Sequence, residues 1–153
     1  MTDEPGMSTG VDETKVTIGR ATEGRITFSV PVAATDGSGY VQLPMLVEQQ
    51  RLSVASTIEL ESWGGGAAGL LTFFAEMATA WRGWHGRREW HDDGGSVSMS
   101  ASHDGIGTIA LRVSAMPLQW DEQRPGSWRL DAVVALDPGS LDVAVRDLRG
   151  LLG

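Results

Sequence analysis

The chain has 153 residues, a length that suits one domain, and it carries 20 acidic against 12 basic side chains for a net charge of −8. A globule of this size buries roughly 70% of its unfolded surface, enough for a core without staples. The complete absence of cysteine excludes disulfide frameworks, thiolate zinc sites, iron–sulfur clusters and cysteine nucleophiles, and fits a reducing compartment.

Residues 1–14 are acidic, rich in glycine and threonine, and without periodicity, the pattern of a disordered tail ahead of a single domain over 15–153. The start lacks the basic stretch and apolar run of a signal peptide. No apolar run approaches the ~20 residues that cross a bilayer. A cytoplasmic protein with no membrane partner is expected. The negative surface repels phosphate backbones, so no nucleic-acid partner is expected either. The basic residues are arginines except for Lys15, which reads as the codon bias of a GC-rich genome.

Four extended segments come first. Lys15–Arg20 is short. Gly24–Val32 alternates Ile26, Phe28 and Val30 with Arg25, Thr27 and Ser29, the period of a half-buried strand. After the turn signal Asp36-Gly37-Ser38-Gly39, Tyr40–Val47 follows, with Pro44 demanding an edge or a bulge. Arg51–Glu61 alternates again, with Ser56 the polar break on its apolar face. Past Gly64-Gly65-Gly66, Ala67–Trp81 spaces Leu70, Phe73, Phe74, Met77 and Trp81 as one face of a helix, so Trp81 is expected in the core. Ser96–His103 and Gly107–Ala115 form a hairpin around Asp104-Gly105. A loop over Pro117–Gly126, carrying Trp120, leads to the strand Ser127–Leu136, with Trp128 on its apolar face. Asp137 and Pro138 then open a last helix with Leu141, Val145, Leu148 and Leu152 on one side.

The order ββββ-α-βββ-α with hairpin-length links predicts an α+β fold: an antiparallel sheet of about seven strands with two amphipathic helices packed on one face. No internal repeat is visible. The uncovered face is left to solvent or to a partner.

Trp81-Arg82-Gly83-Trp84, Glu89-Trp90 and the hairpin through Ser102-His103-Asp104-Gly105, together with the ending of strand, Asp137-Pro138-Gly139 and leucine-rich helix, resemble an uncharacterised family of small actinobacterial proteins, a domain of unknown function. The resemblance covers roughly residues 50–153. It implies a bacterial cytosolic setting and no particular chemistry.

Several groupings could carry chemistry. His85, His91, Asp92 and His103 combine imidazole and carboxylate, the donors of a zinc-type site. However, His85 and His91 fit neither the i, i+4 spacing of a helix nor the i, i+2 spacing of a strand, and an exposed polar loop is the plainer reading; neither a metal nor another cofactor is expected. Ser98, Ser100 and Ser102 precede His103 and Asp104, but no Gly-x-Ser-x-Gly elbow occurs, and a serine ladder on an open sheet face explains the alternation. Glu59, Glu61 and Glu89 lie near apolar residues without forming a catalytic pair, so no catalytic residue is named. Gly64-Gly65-Gly66 lacks the Lys-Ser/Thr of a phosphate loop. Trp84 and Trp90, flanked by Arg87 and Arg88, form an aromatic–arginine patch of the kind that dominates binding hot spots, set against the plainer reading that both rings close one end of the core. The reading favoured by these residues is a non-enzymatic protein-interaction domain, of immunity type or self-associating as a homodimer. The competing reading is a small-ligand-binding or hydrolytic domain with a tryptophan-lined pocket between helix and sheet.

Overall fold

A computed structural model describes residues 14–153 except 21, 34–36, 38, 62–65, 118–122 and 124. Residues 1–13 of the expected tail, Trp63 and Trp120 therefore lie outside the described residues, as do Asp36 and Ser38 of the first turn signal. The α+β class with antiparallel strands and two helices holds. Among the described residues the strands number nine: β1 (Lys15–Arg20), β2 (Gly24–Ser29), β3 (Val32–Ala33), β4 (Tyr40–Gln49), β5 (Leu52–Glu61), β6 (Arg87–His91), β7 (Val97–His103), β8 (Ile109–Ala115) and β9 (Leu130–Leu136). The helices are α1 (Gly66–Thr79) and α2 (Leu141–Leu152), the latter entered through a tight turn at Pro138–Ser140. Asp137 accepts from the Gly139 N–H and Pro138 follows it, as the capping pattern predicts.

The expected single layer is instead two sheets. β1, β2, β4 and β5 run up and down in chain order, with short β3 beside β4, and β6 to β9 form a second meander. Each half is thus a four-stranded antiparallel meander followed by a helix, with the short β3 added in the first, a repeat of topology that the side chains do not betray. The segment read as one strand over Gly24–Val32 divides at Val30-Pro31. Pairing moves from Phe28↔Met45 to Val32↔Gln42, so residues 29–31 face only residues 43–44. This bulge lies opposite Pro44, which has no N–H to give. On its other side Pro44 pairs with Thr57, whose carbonyl turns away from β4 to accept from the Ser96 hydroxyl at 3.1 Å.

The inner faces of both sheets and of both helices meet in one core, with Phe28, Phe74, Ile58, Leu70, Met77, Leu111 and Leu148 fully or almost fully enclosed. Phe74 sets its edge against Phe28 (6.2 Å) and Phe73 (5.3 Å), joining α1 to the first sheet. Because these side chains fill the interval between α1 and the sheets, functional surfaces have to be sought outside it.

Two seams join the halves. At the first, the β1–β2 hairpin lies on β9: the Ala135 N–H donates to Glu23 O at 3.3 Å, and the Gln49 side-chain amide donates to Val133 O. At the second, the β6–β7 turn caps the open edge of β5. Asp92 Oδ2 accepts from the Glu59 N–H (2.9 Å), Asp93 Oδ2 from the Glu61 N–H (2.8 Å), and Glu59 O accepts from the Asp93 N–H (3.0 Å). An edge strand offering free amides invites pairing with other chains, and these side chains occupy them.

Candidate functional site

The β7–β8 turn shows why a rigid surface forms beside the end of α1. Asp104 Oδ1 accepts from the N–H groups of Ile106 (2.7 Å), Gly107 (2.9 Å) and Thr108 (3.0 Å). Glycines at 105 (φ +80°) and 107 (φ +149°) supply backbone conformations that side-chained residues rarely adopt. The turn therefore holds one shape and lifts Ile106 into solvent, 91% exposed. These backbone amides, Thr108 foremost, lower the Asp104 pKa from its ordinary 3.8 to about 2. A carboxyl depressed on folding stabilises the fold above its unfolded value and loses that contribution as pH falls from about 4 to about 2. Asp104→Asn is therefore expected to flatten the acid limb of stability in that window, as read by urea midpoints measured from pH 5 down to about 2. An unchanged slope would show that the turn does not hold the carboxylate this way.

Next to Ile106 stands Trp81, 51% exposed, with the Arg82 guanidinium 4.9 Å from its ring centroid. Helical spacing placed Trp81 in the core. Because α1 stops at Thr79, the chain has left the helix and its apolar face by position 81. Trp128, also expected inside, is exposed because β9 begins only at Leu130. Between Trp81 and Ile106 lies a groove of about 390 Å³, with Arg82, His103, Pro138 and Gly139 completing its walls.

The four residues of the aromatic–arginine patch divide. Trp84 and Trp90 are half-buried and pack against the core. Trp90 pairs with Met99 on the inner face of the second sheet, and Arg87 is exposed on its outer face. Arg88 lies over the Trp84 ring (5.1 Å) and reaches Glu76 at 3.3 Å. The Trp84 ring meets His103 edge-on at 5.3 Å. His103 accepts at Nδ1 from the Gly105 N–H (2.8 Å), so its Nε2–H donates to Trp81 O (2.9 Å). His103 thus braces Trp81 at its backbone carbonyl, and is itself backed by Trp84, over which Arg88 lies in its ion pair with Glu76.

The metal candidates do not converge. Both nitrogens of His103 are engaged, and its side chain is only 2% exposed. Asp92 spends its oxygens on Ser96 N–H, Val97 N–H, Glu59 N–H and the Ser96 hydroxyl. His91 Nδ1 donates to Asp92 O at 3.0 Å, while His85 sits exposed in the link before β6. Among the described residues no three His, Asp or Glu side chains gather as a metal site would require. Ser98, Ser100 and Ser102 lie across the sheet from the face that carries His103, so that imidazole cannot serve them as a base.

The family model described as a family of unknown function (DUF6228) matches residues 18–153. The chain belongs to this family. The match takes in both halves of the fold, more than the resemblance over residues 50–153 implied. No curated protein matches the chain. A solved structure of the plant transcriptional regulator PBF-2 aligns with 90% of this DUF6228 chain and 79% of its own, at 13% identity and a TM-score of 0.43, too low to establish a shared fold. No helix among the described residues is long and apolar enough to cross a membrane.

Proposed function

We propose that this member of the family is a non-enzymatic protein-interaction domain acting in the cytoplasm, and that it docks through Trp81, Arg82 and Ile106. One observation carries the reading: a nearly fully exposed isoleucine on a locked turn stands beside a half-exposed, braced tryptophan. Aromatic and arginine side chains anchor most protein interfaces. Burying an exposed isoleucine contributes roughly 1.5–3 kcal/mol, and a turn already fixed loses little entropy on docking. The net charge of −8 favours a partner with a basic surface. An immunity-type role against a basic protein is the version this charge suits, by analogy with other small acidic domains. Trp84 and Arg88 then act as the support behind the surface, not as its contact residues.

A photo-crosslinking amino acid placed at position 106 in producing cells tests the reading. The expected result is one discrete adduct larger than the chain, lost on Trp81→Ala and absent when the crosslinker sits at Val143, a half-exposed position on α2. Trp81→Ala and Ile106→Asp should each weaken the complex by about 2 kcal/mol or more, roughly thirtyfold, in a binding titration with the captured partner. An adduct of two copies of the chain would move the reading to self-association. Indiscriminate adducts at both positions would end it.

A further inference from the structure

The outer face of the second sheet carries a different surface. Its register sets three rows across the strands: Arg87, Ser102, Ala110 and Ala135; Glu89, Ser100, Arg112 and Val133; His91, Ser98, Ser114 and Asp131. Apart from Arg112, the two middle strands contribute only serine and alanine, so the floor is low. The longer side chains of β6 and Arg112 rise as walls around a groove of about 310 Å³, lined by Glu89, His91, Ser98, Ser100, Arg112 and Ser114. That volume sits at the lower end of the range for small-molecule sites, about 300–1,000 Å³.

The charges of the groove are unevenly matched. Asp131 accepts from the Ser114 hydroxyl and forms an ion pair with the Arg129 guanidinium (3.4 Å). Glu89 and Arg112 have no ion-pair partner among the described residues, although they face one another across Ser100. Their backbones are two strand spacings apart, about 10 Å. The His91 imidazole donates through Nδ1 to Asp92 O, which leaves Nε2 as an acceptor.

We propose that this groove binds a small zwitterion, a molecule with one ammonium and one carboxylate group such as a free amino acid. The Arg112 guanidinium takes the carboxylate as a two-pronged pair, and Glu89 takes the ammonium. The Ser98 and Ser100 hydroxyls between them donate or accept as the ligand requires. A simple anion meets repulsion from Glu89, a simple cation meets Arg112 and Arg87, and a neutral ligand strips water from both charges without replacing it. Only a ligand of both signs satisfies both walls.

Titration of the isotope-labelled full chain, followed by amide NMR, tests this with four probes: L-alanine, γ-aminobutyrate, acetate and methylammonium. The expected result is a saturable shift of β6–β8 amides with at least one zwitterion and none with either singly charged probe. Glu89→Gln and Arg112→Gln should each weaken that binding by about tenfold or more. The exchanged double variant Glu89→Arg/Arg112→Glu should restore it, with the ligand reversed. Equal response to acetate would reduce the groove to an unspecific anion contact and overturn the proposal. So would the absence of any shift up to tens of millimolar, or failure of the exchanged variant to bind while its spectrum remains folded.

Discussion

Asp92→Ala is expected to lower folding stability by about 4 kcal/mol, a large fraction of the roughly 5–15 kcal/mol that native domains possess. Asp92 is only 2% exposed and accepts from three backbone N–H groups, those of Ser96 (2.9 Å), Val97 (3.2 Å) and Glu59 (2.9 Å). It also accepts from the Ser96 hydroxyl at 3.0 Å. Truncation leaves those amides enclosed without an acceptor, and each such orphan costs about 1–3 kcal/mol. One of them belongs to β5, so the loss also loosens the seam between the halves. Asp92→Asn keeps the shape and one accepting oxygen but turns an NH₂ toward the Glu59 N–H. It should cost about half as much. Urea unfolding of the two variants, followed by tryptophan fluorescence, gives the ranking. Equal and small losses for both would mean that water satisfies the turn as well as the carboxylate does.

At the other seam, Gly19→Ala is expected to destabilise by about 3 kcal/mol or more. Gly19 has φ +97°, and a Cβ there would stand 2.5 Å from Gly24 O and 2.9 Å from Val134 Cγ1. The obstacles are a backbone atom of the same hairpin and a buried side chain of β9, so nothing nearby can swing aside. Gly94 offers a control. A Cβ there would meet the Glu59 carboxylate, the end of a flexible side chain, and otherwise only Glu59 Cβ at 3.2 Å among its nearest atoms. Gly94→Ala should therefore cost well under 1 kcal/mol once the glutamate moves. Denaturant midpoints of both variants test the contrast. Similar midpoints would show that β1–β2 and β9 can draw apart at little cost.

Much of the fold was legible because local signals agreed with one another. β7 and β8 were readable from Val97, Met99, Ala101, Ile109, Leu111 and Val113 alternating on either side of Asp104-Gly105, and α2 from Asp137-Pro138 followed by its leucines. β6 was not readable. Its inward positions are Arg88 and Trp90 and its outward ones Arg87, Glu89 and His91, so an arginine on the inner side hides the alternation. That arginine tolerates its place because its guanidinium lies over the Trp84 ring and pairs with Glu76. The division into two sheets was illegible for a different reason. Alternation says which side of a strand is apolar but not which strand lies beside it, and a helix separates β5 from β6.

At the surface, helical periodicity points Trp81 inward, but α1 ends two residues before it. An aliphatic residue between Gly105 and Gly107 in a turn is a signal of forced exposure, and Ile106 stands in solvent accordingly. The residue type of Asp92 suits a metal ligand, whereas its position before a Gly-Gly-Ser turn suits it to hold backbone amides. What single residues could not reveal was that this turn would reach a strand more than thirty positions earlier.

The repeated plan of four strands and a helix has a consequence for synthesis. When β5 and α1 leave the ribosome, Ile26, Phe28, Leu43 and Met45 already line one side of a finished meander, yet Leu111, Val134 and Leu148, part of the same core, have still to be translated. The nascent first half carries an oily plate exposed until β9 and α2 emerge, the kind of transient apolar surface that makes folding intermediates prone to aggregate.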